Sequence, residues 1–195
     1  MALGKQAKTL TRAQVEAILG YVKTTRHPNR NRVIVLLSVR AGLRAKEISG
    51  LTWGMVTDAA GKISDAIHLQ NRASKGRSGG RIIPLNSELK KALGALREQQ
   101  VRSASPYIVT TERAAKASPQ SVVNLFFRWY LDLGFNGCSS HSGRRTFITN
   151  AARKISTVGG SLRDVQILAG HSNLATTQRY IEGSEEAQRR IVEVA

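Results

Sequence analysis

The chain has 195 residues, of which 41% are hydrophobic, and its 30 Lys and Arg residues outnumber its 13 Asp and Glu residues, giving a net charge of +17. This hydrophobic content excludes a disordered tail, and the longest apolar run, "VIVLL" from Val33 to Leu37, is too short to span a membrane. A single cysteine, Cys138, excludes an internal disulfide and a cysteine-based zinc cluster. We therefore expect one domain, or one domain plus an extension, of a soluble, cytoplasmic protein.

The positive charge is spread along the whole chain rather than gathered in one tail. Basic residues recur in "RHPNRNR", "RASKGRSGGR" and "HSGRR". This distribution favours a folded surface that binds the phosphate backbone of a nucleic acid. A merely soluble basic surface, or a ribosome-associated protein, is the alternative that charge alone leaves open.

The first part of the chain predicts three helices. "TRAQVEAILGYVKTT" has helical apolar spacing, with a capping-box pattern formed by Thr11 and Gln14. Pro28 is expected to break this helix. The nearly all-apolar "RVIVLLSVRAGL" predicts a central core helix ending at Gly42, and "AKEISGLTWGMV" predicts a short helix after it.

Short β-branched segments then interrupt the helices. "KISDAIHLQN" and "RIIPL" predict two strands, and "RASKGRSGG" between them predicts a hairpin turn. Helices return in "SELKKALGALREQQV", which Ser87 can cap, in "SPQSVVNLFFRWYLDLGF", and in shorter segments from His141 onward. The predicted fold class is α+β, mainly α-helical, with one small antiparallel β-sheet.

Two arginine motifs are candidates for phosphate chemistry. In "HSGRR", His141 and Arg144 are spaced to share a helix face, where a histidine can move protons and a guanidinium can bind phosphate. In "AGLRAKE", Glu47 is spaced to hold Arg44 in place. Taken alone, each motif is more simply explained by solvated charges or a surface ion pair.

The predicted hairpin turn contains one lysine, Lys75. A lysine at a turn tip can reach a DNA groove, and it can protonate a leaving oxygen if its pKa is lowered. A solvated loop lysine is the simpler alternative. Flanking arginines make phosphate binding the expected role of this segment: Arg72, Arg77 and Arg81.

The segment "LAGHSNLATTQRY" places Tyr180 nine residues after His171, with Asn173 suited to cap a new helical turn. Taken alone, Tyr180 is best explained as a core or rim aromatic. A tyrosine nucleophile needs cationic neighbours, and sequence distance alone leaves open whether the cations of this chain meet it.

In their order, these motifs resemble the tyrosine recombinase (phage integrase) family. "AGLRAKEISGLTW", "SKGRSGGRIIPL", "HSGRRTFIT" and "LAGHSNLATTQRY" carry the resemblance, which runs from about residue 9 to residue 183. It implies that family's catalytic-domain fold and a site-specific recombinase acting on double-stranded DNA. The implied catalytic set is Arg44, Lys75, His141, Arg144, His171 and Tyr180, with Glu47 in support.

The resemblance also implies how the set divides the chemistry. Tyr180 would attack a scissile phosphate to form a 3′-phosphotyrosine bond and free a 5′-hydroxyl. The two arginines and His171 would hold the non-bridging oxygens, His141 would help to remove the tyrosine proton, and Lys75 would protonate the leaving oxygen. Glu47 would orient the site.

No metal or cofactor is expected. Charge builds on the equatorial oxygens during phosphoryl transfer, and preplaced cationic side chains can stabilise it where other enzymes use Mg²⁺. The sequence shows neither a carboxylate cluster nor a P-loop. Arg145 departs from the family pattern, because it stands where a second histidine is common, and we expect it to contact DNA.

The predicted organisation is a flexible lead-in over residues 1–8, a catalytic domain over 9–183 and a C-terminal helix or tail over 184–195. Most family members carry an N-terminal DNA-binding domain. We therefore expect either a naturally short recombinase, as fimbrial-inversion relatives are, or an isolated catalytic domain, with weak, salt-sensitive DNA binding. If the tail packs on a neighbouring protomer, the protein should form dimers or tetramers on DNA. The alternative is that the tail docks on its own domain.

Two other functions fit parts of the pattern: a nicking and resealing enzyme like a type IB topoisomerase, and a non-catalytic DNA-binding protein on a degenerate recombinase fold. The multimerising tail argues against the first, and the intact catalytic set argues against the second. A bacterial or phage-encoded, DNA-associated cytoplasmic protein is the expected context.

Overall fold

The computed structural model describes residues 7–70, 80–100, 104–180 and 192–193. Helices dominate these ranges, and none of them combines the length and apolar character needed to cross a membrane. The helices are α1 Arg12–Val22, α2 Pro28–Ala41, α3 Ala45–Gly50, α4 Ser87–Gln99, α5 Pro119–Asp132, α6 Ser142–Lys154, α7 Leu162–Ala169 and α8 Leu174–Gln178. Short 3₁₀ turns cover Trp53–Met55 and Ile155–Val158.

The predicted pair of strands is present as a small antiparallel sheet. Strand β1 is Ala66–Leu69 and strand β2 is Arg81–Pro84, paired so that Leu69 lies opposite Arg81. Alternate residues of each strand are buried, as expected for strands with one face on the core. The expected α+β fold with a mainly helical composition is confirmed.

Helix α2 is the centre of the core. Its residues Val33–Leu37 have no exposed surface, and α1, α4 and α6 all pack against it. Gly42 ends the helix with φ +64, where a side chain would also collide with the ring of Phe147. Helix α2 and the turn at Gly42 thus form the surface against which α6 packs.

Two predicted helix boundaries differ from those observed. Helix α2 starts at Pro28 rather than at the predicted Arg32, because proline at the first helical position loses no hydrogen bond. Asn86, not Ser87, caps α4 by accepting hydrogen bonds from the backbone N–H groups of the first turn. The capping box of Thr11 and Gln14 is confirmed.

A second, smaller hydrophobic cluster lies under α6 and α7. Its buried members are Ile148, Val165 and Ala169, and Tyr180 packs against them. The described end of the lead-in is held nearby, where the N–H of Lys8 donates to the carbonyl of Gly137 across 3.2 Å. This arrangement brings the end of α8 close to the start of α6.

Candidate active site

Glu47 lies at the centre of a network of charges. Its side chain is only 1% exposed, and it accepts hydrogen bonds from the guanidinium groups of Arg44 (3.0 Å) and Arg81 (2.9 and 3.1 Å). The backbone N–H of Arg44 also donates to it, across 2.8 Å. Burial raises the pKa of the Glu47 carboxyl, but the hydrogen bonds and charges of Arg81 and Arg44 outweigh burial and lower the pKa below its ordinary value. Glu47 is therefore a carboxylate at neutral pH.

Arg81 is an internal residue in this structure, although the sequence pattern predicted that it binds DNA. Its side chain is 4% exposed, and its Nε donates to the carbonyl of Leu168 near the end of α7 across 2.9 Å. The pairing register of β2 turns this side chain toward the core, where the protein itself uses its donors.

Arg144 joins the ends of two helices. It is 3% exposed, and it donates from Nη1 to the carbonyl of Gly42 after α2 (2.6 Å) and from Nη2 to the carbonyl of Ala169 in α7 (2.7 Å). Both carbonyls lie at the negative ends of helix dipoles, which favour a cation. Burial, followed by the charge of Arg44, lowers the pKa of Arg144 to about 10, so the side chain remains charged at neutral pH.

His171 is held between Arg144 and Thr177. Its Nε2 lies 3.0 Å from Nη2 of Arg144, and its Nδ1 lies 2.9 Å from the hydroxyl of the fully buried Thr177 in α8. A guanidinium can only donate, so Nε2 accepts and the neutral ring carries its proton on Nδ1. Burial, and then the charges of Arg144 and Arg44, lower the pKa of His171 to about 4.

Tyr180 lies directly against this histidine. The two rings stack with centroids 5.5 Å apart and an interplanar angle of 23°. The N–H of Tyr180 donates to the carbonyl of Thr177 across 3.0 Å, so Tyr180 lies just after the end of α8. Tyr180 is thus both a rim aromatic of the small cluster and a neighbour of the cations.

His141 immediately precedes α6 and lines a cavity of about 270 Å³ with Tyr180. Burial, and then the charges of Arg144 and Arg44, lower the pKa of His141, so its imidazole is neutral and able to accept a proton at neutral pH. The other residues that line this cavity are Ala7, Arg144, Arg145, Thr176 and Arg179. A larger cavity, about 520 Å³, lies between the α1–α2 connection and α5, and its lining includes none of the described motif residues.

The structure brings together most of the catalytic set implied by the sequence: Arg44, His141, Arg144, His171 and Tyr180. Lys75 and the flanking Arg72 and Arg77 lie outside the described residues. Arg145 donates to the carbonyl of Ala7 across 3.0 Å at the cavity wall, and its contact with DNA stays a prediction. Thr177 was missed; its position one helical turn before Tyr180 is the signal that could have identified it.

This architecture places a tyrosine just after a short helix and arginines on the neighbouring helices and strand. It is the catalytic-domain fold of the tyrosine recombinases. Sequence comparison agrees, because the phage integrase family matches residues 8–187. The chain belongs to the phage integrase family.

Relatives in this family share moderate sequence identity with the chain. Tyrosine recombinase XerA of Thermococcus kodakarensis is 31% identical over 96% of this chain and 62% of its own length. Tyrosine recombinase XerC of Actinobacillus pleuropneumoniae is 31% identical over 77% of this chain and 46% of its own length. The chain therefore spans less than two thirds of the length of either relative.

Solved structures show the same fold. The crystal structure of XerA recombinase matches with a TM-score of 0.74 at 22% identity, covering 94% of this chain and 63% of that one. A lambda integrase dimer bound to a COC′ core site matches with a TM-score of 0.70 at 18% identity, covering 93% of this chain and 50% of that one.

Proposed function

We propose that this protein is a site-specific DNA recombinase that cleaves and rejoins double-stranded DNA through a 3′-phosphotyrosine bond at Tyr180. The observation that carries the proposal is the Tyr180 ring stacked on His171, beside a cavity lined by Arg144 and His141. A tyrosine is a weak nucleophile without cations and a base nearby, and this cavity offers both. The relatives named tyrosine recombinase support the same function.

The chemistry is one phosphoryl transfer and its reverse. The phenolic oxygen of Tyr180 bonds to the scissile phosphorus while the bond from phosphorus to the 5′-oxygen breaks. His141 takes the phenolic proton, and Lys75 gives a proton to the leaving 5′-oxygen. A 5′-hydroxyl from another strand then attacks the phosphotyrosine bond, rejoins the DNA and frees Tyr180.

The arginines divide the work of stabilising charge. Arg144 is fixed by two carbonyls and acts as a preorganised cation, whereas Arg44, with 27% of its side chain exposed, is the more accessible donor. In the absence of DNA the Nε2 of His171 accepts from Arg144, so His171 can donate to a phosphate only after gaining a proton. An anionic phosphate beside the ring raises its pKa, so the substrate itself favours the donating form.

We also propose assembly into dimers or tetramers on DNA through residues 184–195, which lie largely outside the described residues. Lambda integrase was solved as a dimer on its core site. Deleting this segment should reduce the size of the DNA-bound species in multi-angle light scattering, and an unchanged size would contradict the proposal. We propose a cytoplasmic location, where a bacterial or phage-encoded recombinase would meet its DNA.

Covalent capture tests the chemistry and selects the target sequence in one experiment. A pool of nicked "suicide" duplexes with randomised sequence is incubated with the protein, and adducts that survive denaturation are isolated and sequenced. We expect adducts enriched in one sequence for the native protein and none for Tyr180→Phe, which keeps the ring but lacks the nucleophile. Equal adducts from both proteins would overturn the mechanism. Relaxation of any supercoiled plasmid without strand exchange would favour a topoisomerase-like enzyme.

A further inference from the structure

We propose that Arg81 is a positioning residue that keeps the charge of Arg44 available to the scissile phosphate. The inference rests on the proposed function, because it concerns how Arg44 meets the reacting phosphate. It adds a role for a residue that the motif pattern treated as a surface cation.

The first observation is how the three charges share their hydrogen bonds. Arg81 donates to both oxygens of Glu47, from Nη1 across 2.9 Å and from Nη2 across 3.1 Å. Arg44 spends one side-chain hydrogen bond on the same carboxylate, from Nη1 across 3.0 Å. One negative charge is therefore divided between two cations, and the bidentate partner is Arg81. The group keeps a net positive charge.

The second observation is that the two cations differ in access. The side chain of Arg81 is 4% exposed, whereas that of Arg44 is 27% exposed. Of the two, Arg44 is the one placed to meet a ligand. Arg81 satisfies the buried carboxylate from the inside, so Arg44 can be oriented by Glu47 without being neutralised by it.

The third observation is that Arg81 is locked in place. Its Nε donates to the carbonyl of Leu168, and a Cβ on Gly170 would come within 2.8 Å of its Nη1. Gly170 has φ +62, so glycine allows both the turn and this close approach. The same turn leads directly into His171. Arg81 thus ties the anchor of Arg44 to the backbone that carries His171.

The consequence appears when Arg81 is removed. In Arg81→Met the buried Glu47 carboxylate has only Arg44 to neutralise it, so the charge of Arg44 is cancelled within the protein. Adding Glu47→Gln removes the carboxylate and frees the charge of Arg44 again. Loss of Arg81 should therefore slow adduct formation when residue 47 is glutamate and have little effect on this rate when residue 47 is glutamine.

A double-mutant cycle on the duplex enriched by the native protein tests this, with rates measured at saturating DNA on protein shown to be folded. We expect Arg81→Met to slow adduct formation at least about tenfold with the native Glu47, and less than about threefold with Glu47→Gln. Arg81→Lys, which keeps the charge, should recover part of the rate. Arg12→Met, at an arginine whose side chain is 94% exposed and, among the described residues, pairs only with Glu16 on its own helix, is the matched control and should cleave like the native protein.

A second readout separates positioning from folding. A scissile methylphosphonate lacks the charge that Arg44 neutralises, so the deficit of Arg81→Met should shrink on this substrate. A deficit equal on both substrates, or equal with glutamate and glutamine at residue 47, would overturn the role of Arg81. If Arg81→Met does not fold, the comparison is made between Glu47→Gln and the double variant. A rate of adduct formation more than about threefold lower in the double variant would overturn the role of Arg81. Absence of any adduct with the native protein would instead overturn the proposed function.

Discussion

Arg144 donates to the Nε2 of His171 across 3.0 Å, so a permanent cation occupies the nitrogen through which this histidine would meet a phosphate. The opposite nitrogen is bonded to Thr177 on the helix that leads to Tyr180. The histidine is therefore fixed on both sides in its neutral form. Under the proposed function, a bound phosphate would compete with this arrangement, so binding of DNA should be linked to protonation of His171.

The neutral state of His171 predicts a pH-dependent stability. Its pKa in the folded protein is about 4, whereas an unfolded histidine titrates near 6.5, so between these values the unfolded chain binds a proton that the folded protein does not. This contribution to stability is complete above about pH 6.5 and is lost as the pH falls toward about 4. His141, whose pKa is also lowered, acts in the same direction.

Urea unfolding between about pH 5 and pH 7.5 measures this effect. His171→Gln should flatten the pH dependence, leaving the part that comes from His141. His68→Gln, at an exposed position on β1, is the control and should leave the curve unchanged. An identical pH dependence for His171→Gln and the native protein would show that the ring is not held neutral.

Thr177 predicts a second effect, on the tautomer of the same ring. Thr177→Val keeps the shape but leaves the Nδ1–H of His171 without its acceptor, which should cost about 1–3 kcal/mol of unfolding free energy and slow adduct formation. Thr177→Ser keeps the hydroxyl and should lose less than about 1 kcal/mol. The ¹⁵N shifts of His171 report the tautomer directly. Equal stability and rate for the valine and serine variants would contradict this role.

Local signals in the sequence were readable because their physics is local. The apolar run of α2 and its stop at Gly42 predicted the core helix, and the Thr11 capping box marked the start of α1. The errors arose where two local solutions compete. Asn86 and Ser87 are both good caps, and only the backbone geometry at the turn decides between them.

The site was less readable, because its contacts link distant residues. The order of motifs predicted which residues meet, but not how Arg81 would be used, since it pairs with a carboxylate 34 residues earlier in the chain. The spacing that places an arginine beside a glycine-rich turn also fits a solvated DNA contact. Only the strand register and the burial of Glu47 decide which of these forms.

Gly170 offers a prediction with an internal control. Gly170→Ala forces an L residue into a positive-φ conformation and places its Cβ 2.8 Å from Nη1 of Arg81, whereas Gly159→Ala imposes a similar φ of +73 with nothing within 4 Å. The control should lose about 1–2 kcal/mol from the backbone alone. Gly170→Ala should lose more and should also slow adduct formation, because Arg81 is displaced. If the two variants lose equal stability and Gly170→Ala cleaves at the native rate, a side chain at residue 170 does not displace Arg81.

Arg144→Lys tests whether the fork geometry of this residue is needed in addition to its charge. A single ammonium on a flexible chain cannot reproduce the fork that bonds the carbonyls of Gly42 and Ala169 together with the ring of His171. We expect a loss of about 2–4 kcal/mol in unfolding free energy and at least a roughly hundredfold slower adduct formation. Arg12→Lys, at a solvated position, should change neither.

DNA affinity at low salt is the measurement that separates the two parts of this prediction. Because Arg144 is 3% exposed and the net charge is unchanged in Arg144→Lys, non-specific binding should stay within about threefold of the native protein. A large loss of affinity with a normal cleavage rate at saturation would place Arg144 in binding rather than in catalysis. If Arg144→Lys forms the adduct at the native rate but is less stable, the only role of Arg144 is its hydrogen bonds to the two carbonyls.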